Sequence, residues 1–234
     1  MRTLHDGQPR VRHAVVVADG DVPTRDALDA AWPGWADDID LVVAADGGLV
    51  RARTIGLEPT LLVGDLDSLD AAALAQARAD GLTVHRSPAA KDESDAELAL
   101  VEALDAGAGR VTILGAFGGS RIDHELANIW LLAHPATVGA RVELLDDRAR
   151  ATLIVAPAGE APVTRHLPGP VGGTVSLLPF GGDAIGITTH GLRYPLRDEP
   201  LVTGPARGLS NVRESPDAAV TLRQGRILVV ETPT

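Results

Sequence analysis

Apolar residues in the first 145 positions come in short unbroken runs, with helix-like segments between them. The runs Ala14–Ala18, Leu41–Ala45, Leu61–Val63, Leu82–His85, Val111–Leu114 and Val142–Leu145 predict six strands. Several show no polar alternation, the pattern of strands buried on both faces. Segments near 24–31, 48–55, 69–80, 94–106 and 123–133 predict helices. The fourth carries start and stop signals: Ser94 as N-cap, Glu97 three residues on, and Gly107 just past the end. Such β-α alternation predicts an α/β fold, a mostly parallel, doubly wound (Rossmann-like) sheet with helices on both sides.

The pattern changes near Arg150. Ten of the sixteen prolines lie in residues 157–234, and helical periodicity stops. Short β-type runs follow at Thr152–Val155, Thr174–Leu178, Ala184–Thr188, Ala219–Leu222 and Ile227–Val230. Gly-containing turns separate them, among them Phe180-Gly181-Gly182-Asp183 and Arg223-Gln224-Gly225-Arg226. This predicts a C-terminal antiparallel β-sandwich, giving domains at 1–148 and 149–234.

Composition narrows the chemistry. With no cysteine, disulfides, thiolate metal sites and cysteine nucleophiles are excluded. No apolar run is long enough to span a bilayer, and Met1-Arg2-Thr3-Leu4-His5-Asp6 lacks the apolar stretch of a signal peptide, so the expected location is the cytoplasm. A net charge of −11 argues against a nucleic-acid binder. The charge is concentrated: residues 37–97 hold thirteen carboxylates against five basic residues, a region that repels an anionic substrate unless cations intervene. Twenty of the 21 basic residues are Arg; the exception is Lys91. Its retention suggests that a compact, flexible ammonium is wanted there, as in phosphate binding, with chance survival the alternative.

Ligands of an open parallel sheet bind beyond the carboxyl ends of its strands. Asp46 closes the second predicted strand, Asp65 and Asp67 close the third, and Lys91-Asp92-Glu93-Ser94-Asp95 joins the fourth to a helix. In an extended segment Asp65 and Asp67 would point to the same side. Oxygen-only ligands of this kind suit Mg²⁺, with turn or helix capping as the alternative for each aspartate. The fifth strand leads into Gly115-Ala116-Phe117-Gly118-Gly119-Ser120-Arg121-Ile122-Asp123-His124, where glycines admit a phosphate to backbone N–H groups. Arg121 is placed to neutralise a transferred phosphate; Asp123 is a metal ligand, a base or an N-cap. His124 reads as structural, and Trp130 with its neighbouring leucines as core. No nucleophile-elbow motif or metal-binding histidine cluster is present, and the dispersed histidines argue against a zinc hydrolase.

In order and spacing, these strings resemble the thiamine pyrophosphokinase (thiamine diphosphokinase) family. They are Ala45-Asp46-Gly47-Gly48, Gly64-Asp65-Leu66-Asp67-Ser68, Lys91–Asp95, and Gly118–His124 with Asn128. The second half adds Val175–Pro179, Gly191–Leu196 and Ser210-Asn211, so the resemblance covers nearly the whole chain. It departs at Ser94, where the family usually has Thr, and at Ser120, inserted between the paired glycines and Arg121. The resemblance implies diphosphate transfer from ATP to thiamine, releasing AMP, by a homodimer with its active sites near the subunit interface. Asp46, Asp65, Asp67, Asp92 and Asp95 then hold Mg²⁺, while Asp65, Asp67, Lys91, Asp95, Arg121 and Asp123 carry catalysis. Asp46, Gly47, Gly118, Gly119 and Arg121 bind ATP. Ser210, Asn211 and Tyr194, in a thiamine-binding and dimerisation domain, meet thiamine, Tyr194 having sandwich core as its alternative. A non-catalytic nucleotide- or thiamine-binding regulator and a Mg²⁺-dependent phosphohydrolase remain as alternatives on the same fold.

Overall fold

The computed structural model describes residues 11–67, 71–88 and 90–234. The chain divides into two compact units, Met1–Asp147 and Arg148–Thr234.

The first unit is α/β. Its six strands are β1 (Val11–Val17), β2 (Ile39–Ala45), β3 (Leu61–Gly64), β4 (Thr83–Arg86), β5 (Ala108–Leu114) and β6 (Arg141–Leu145). All pair in parallel, in the order β6-β5-β1-β2-β3-β4. The apolar runs behave as expected of a sheet covered on both faces: consecutive residues Ala14, Val15, Val16 and Val17 are all fully buried. The helices are α1 (Arg25–Ala31), α2 (Gly48–Thr54), α3 (Ala71–Ala79), α4 (Asp95–Asp105) and α5 (Ile122–Trp130). Leu28 of α1 and Ala52 of α2 join Val15, Val17, Val42, Leu114 and Leu145 in one core cluster. The helix α4 buries Ala96, Ala99, Leu100 and Ala103, one stripe at helical spacing, and packs on β1, β2, β3 and β5. It begins as its sequence predicts, with the Ser94 side chain accepting from the Glu97 N–H at 3.1 Å, and Gly107 follows its end at φ 90°.

Two details differ. The predicted helix at 123–133 is helical only to Trp130 and tightens to a 3₁₀ turn at Leu131–Ala133. Trp130, expected in the core with its neighbours, is 53% exposed, whereas Leu131 and Leu132 are buried. With Ile122 and Leu126 it forms an exposed apolar stripe at i, i+4 and i+8 along α5. Ser68 and residues 69–70 of the third predicted helix lie outside the described residues.

The second unit is antiparallel throughout, built from β7 (Arg150–Ala156), β8 (Val163–His166), β9 (Thr174–Pro179), β10 (Ala184–His190), β11 (Arg197–Leu201), β12 (Asn211–Val212) and β13 (Ala219–Glu231). Two predicted strands and the turn between them are one strand, β13. Its first part, residues 219–222, pairs with β8 and β10, and its second, 225–231, pairs with β7 and β9. It changes sheets at Gly225, whose φ of 103° and close approach to the Asp183 carbonyl (2.8 Å from an added Cβ) admit no side chain. Ile154, Leu177, Ile187, Leu222 and Ile227 fill the core of this unit. A buried ion pair is included: Arg213 donates to Glu231 Oε1 at 2.6 Å, and Arg150 Nε donates to Oε2 at 3.0 Å. Both oxygens of the buried carboxylate are thereby met, as burial of a charge requires.

Candidate active site

After β4 the chain returns to lay β5 beside β1, so the connections leave those two strands in opposite directions. A crevice forms at the carboxyl ends where this happens. A cavity of about 470 Å³ lies there, lined from the ends of β1 (Ala18–Gly20), β2 (Ala45, Asp46), β3 (Asp65, Asp67) and β5 (Gly115, Ala116 and Gly118–Arg121), together with Lys91 and Asp95. A second space of about 470 Å³, beside Asp65 and Asp67, is lined by Arg86, Ser87 and Pro88.

Asp46 is buried and takes a left-handed backbone (φ 47°), its N–H donating to the Val63 carbonyl at 2.9 Å. Asp65 and Asp67 are not in an extended segment, as their two-residue spacing had suggested. The strand stops at Gly64, Leu66 turns to φ 67°, and the Asp67 N–H donates to Asp65 Oδ1 at 3.1 Å. A left-handed leucine is strained, and burial of its side chain against Leu62, Ala77 and Leu82 holds it there. The result is still convergence: carboxylate oxygens of Asp46, Asp65 and Asp67 all lie within 4.8 Å of one another. Three oxygens so close fit a hard divalent cation such as Mg²⁺.

The other aspartates assigned to a metal lie differently. Asp95 Oδ1 accepts from Lys91 Nζ, and Asp92 is exposed outside the three-carboxylate group. Gly64 (φ 146°) lets Asp95 and Asp46 close in on either side, because an added Cβ would lie 3.1 Å from Asp95 Oδ1 and 3.2 Å from Asp46 Cβ. Lys91, only 11% exposed at its side chain, also donates to Ser87 Oγ at 2.6 Å.

The glycine loop lines the cavity with Gly118, Gly119, Ser120 and Arg121. Arg121 occupies the N-cap of α5, so Asp123 lies inside the first turn and is not the cap. Arg121 Nε donates to Asp123 Oδ1 at 2.9 Å, and Nη2 donates to Oδ2. Those hydrogen bonds, aided by the charge of Arg121, lower the Asp123 pKa to about 2, which makes this carboxylate a poor proton acceptor. His124 is exposed, lines the cavity and hydrogen-bonds through its ring to no described residue, so the structural role expected of it is not seen. Asn128 is buried and donates to the Ala116 carbonyl at 2.9 Å, bracing the loop from α5. Gly47, assigned to the nucleotide, does not line the cavity; it caps α2, where a Cβ would lie 2.4 Å from Asp19 Oδ1.

Asp19, Gly20 and Ser87 lie at the site but outside the strings that mark it in the sequence. The first two follow the first parallel strand as an Asp-Gly pair, the same signal that singled out Asp46. Asp19 accepts from Arg51 Nε at 3.0 Å on the cavity rim.

In the second unit, Tyr194 is 63% exposed, which removes the core alternative for it. Asn211 is buried: its Oδ1 accepts from the N–H groups of Tyr194 (3.0 Å) and Val212 (2.9 Å), and its Nδ2 donates to the Tyr194 carbonyl (2.7 Å). Ser210 is exposed at φ 58°, its N–H donating to Ser176 Oγ at 3.0 Å.

Comparison with known proteins adds an independent line. Residues 34–144 match the family model described as thiamin pyrophosphokinase, catalytic domain, and residues 165–227 match that of the vitamin B1 binding domain. Over 178 residues the chain is 29% identical to thiamine pyrophosphokinase of Bacillus subtilis, covering 76% of this chain and 80% of that protein. The crystal structure of thiamine pyrophosphokinase from Bacillus subtilis superposes with a TM-score of 0.80 at 24% identity, over 95% of this chain and 99% of the other. A thiamin pyrophosphokinase family protein from Enterococcus faecalis gives a TM-score of 0.77 at 28% identity, with the same coverage.

Proposed function

The chain belongs to the thiamin pyrophosphokinase family, and from that premise we propose that it transfers the diphosphate group of ATP to the hydroxyl of thiamine. The thiamine oxygen bonds to the β-phosphorus, the bond from that phosphorus to the α–β bridging oxygen breaks, and AMP leaves with that oxygen. The hydroxyl proton is released. The observation that carries this assignment is the meeting, in one cavity at the strand ends, of the carboxylates Asp46, Asp65 and Asp67 with Lys91 and the glycine loop.

Each group has a part. Asp46, Asp65 and Asp67 are the residues to hold Mg²⁺, which supplies charge neutralisation to the phosphate oxygens when bound. Lys91 and Arg121 offset the remaining negative charge, and Gly118 and Gly119 bring backbone N–H groups close to it. The exposed Tyr194 ring offers thiamine, a flat cation, an aromatic face, with Ser210 beside the Asn211 turn as a polar contact. A homodimer suits the exposed Ile122, Leu126 and Trp130 stripe, a surface of the kind that subunit contacts cover. The cytoplasm is the compartment we assign; among the described residues no helix is long and apolar enough to cross a membrane.

Chromatography of the nucleotide products tests the assignment. AMP formed only with thiamine and Mg²⁺ present supports it. ADP as the main product, or turnover independent of thiamine, overturns it.

A further inference from the structure

The active-site strings leave out Ser87, yet it touches two of their parts. β4 ends at Arg86, and the next N–H, that of Ser87, donates to the Gly64 carbonyl at 2.9 Å. Gly64 immediately precedes Asp65, so this bond extends the β3–β4 ladder to the edge of the carboxylate turn. Pro88 then restricts the Ser87 backbone to extended conformations. From this anchored position, Ser87 Oγ accepts from Lys91 Nζ at 2.6 Å. Asp95 Oδ1 accepts a second hydrogen bond from the ammonium. An ammonium has three donors; among the described residues two are held, which leaves one for the cavity that Lys91 lines.

The two holders do different work. Asp95 is charged and offsets the lysine's positive charge as well as orienting it. Ser87 is neutral, so it directs the ammonium without cancelling the charge that a phosphate meets. A flexible four-carbon side chain would otherwise sample many positions, and fixing its third donor toward the cavity removes that freedom before substrate arrives.

We propose that Ser87 is a positioning residue that fixes the Lys91 ammonium toward the transferred phosphates and ties it to the Asp65 turn. It deepens the diphosphotransferase function proposed above and rests on it. The test separates the two. Lys91 is the only lysine in the chain, so labelling lysine with ¹⁵N at Nζ gives one ammonium signal, readable without any turnover. In the wild-type protein that signal is expected in slow exchange with water. Ser87→Ala should speed the exchange, and Ser87→Thr, which keeps the hydroxyl, should restore it. An unchanged signal in Ser87→Ala overturns the positioning role whatever the enzyme's activity.

Kinetics supply the second arm. Ser87→Ala should lower kcat by about tenfold, the loss of one charge-assisted hydrogen bond, with thiamine KM unmoved and Ser87→Thr near wild type. In a Lys91→Ala background the same change should cost nothing further, because Ser87 acts only through the lysine. An equal loss in both backgrounds overturns the proposal. Absence of AMP release by the wild-type protein instead overturns the diphosphotransferase assignment, while the ammonium signal still decides whether Ser87 holds Lys91.

Discussion

Asn211 grips the backbone of Tyr194 from both sides, accepting from its N–H at 3.0 Å and donating to its carbonyl at 2.7 Å. The buried amide is thus committed to main chain, and the aromatic ring is what the loop presents. Asn211→Ala leaves those backbone groups without their partner, which costs about 1–3 kcal/mol. It should lower the melting temperature by several degrees and raise thiamine KM more than ATP KM. Tyr194→Ala should raise thiamine KM similarly with little thermal change, since its side chain is mostly exposed. Paired melting curves and KM values check this; an unmoved thiamine KM in both variants removes thiamine from this loop.

Asp65→Asn and Asp67→Asn should each lower turnover by about two orders of magnitude, comparable to removing one electrostatic contact to the reacting group. The fold should survive. Asn at 65 keeps an Oδ1 to accept the Asp67 N–H, so the turn retains its internal hydrogen bond. Calorimetric titration with Mg²⁺ should show weakened binding in both variants. Near-wild-type rates at limiting Mg²⁺ would make both aspartates structural.

The parallel unit was legible because its strands are buried on both faces and therefore read as apolar runs such as Ala14–Ala18. Three strands of the second unit escaped for the opposite reason. β8 (Val163–His166), β11 (Arg197–Leu201) and β12 (Asn211–Val212) are short and largely polar, and β11 contains Pro200, tolerated because among the described residues this strand pairs with β10 alone. A glycine within β13 looked like a turn because local sequence does not reveal that a strand crosses between sheets. At the site, Asp46, Asp65 and Asp67 were legible as candidates from their place just past strand ends, and Lys91 from being the one lysine. The left-handed Leu66 that aims the pair was not, because tertiary burial of its side chain imposes that conformation. Ser87 was invisible because its role depends on a lysine four residues away and a carbonyl twenty-three residues back.

Lys91→Arg keeps the charge and changes its shape. The ammonium sits between Ser87 Oγ and Asp95 Oδ1 on a side chain only 11% exposed, a place fitted to a point donor. A planar guanidinium is larger and must rearrange that pair. We expect kcat to fall by at least about tenfold, roughly one charged hydrogen bond misplaced, with the melting temperature little changed. An Arg variant of wild-type activity would show that charge alone suffices.

Stability should fall in two steps as pH is lowered, the first set by His13 and the second by Glu143. His13 is buried in β1. Its Nδ1 lies 2.9 Å from the Asp37 carbonyl, an acceptor only, so Nδ1 carries the proton. Nε2 lies 2.9 Å from Thr112 Oγ, whose hydroxyl donates to Glu143 Oε1, also at 2.9 Å. Burial pushes the His13 pKa below its ordinary 6.5, and the charge of Arg110 adds to this; the Asp37 carbonyl and the charges of Glu143 and Asp40 oppose it without prevailing. Below 6.5 the unfolded chain therefore binds more protons at this residue than the folded one, and stability declines with falling pH. For Glu143, burial alone would raise the pKa, but the charge and hydrogen bonds of Arg110, with Arg141 and Thr112, bring it below 4.5. Its contribution is present above 4.5 and is lost as pH falls through the lower folded value. His13→Gln preserves a donor and an acceptor but cannot titrate, so urea unfolding of this variant should lose the decline just below pH 6.5 and keep the one below 4.5. A wild-type stability that stays flat between pH 7.5 and 5, or a slope there that persists in His13→Gln, would place the pH sensitivity on another group.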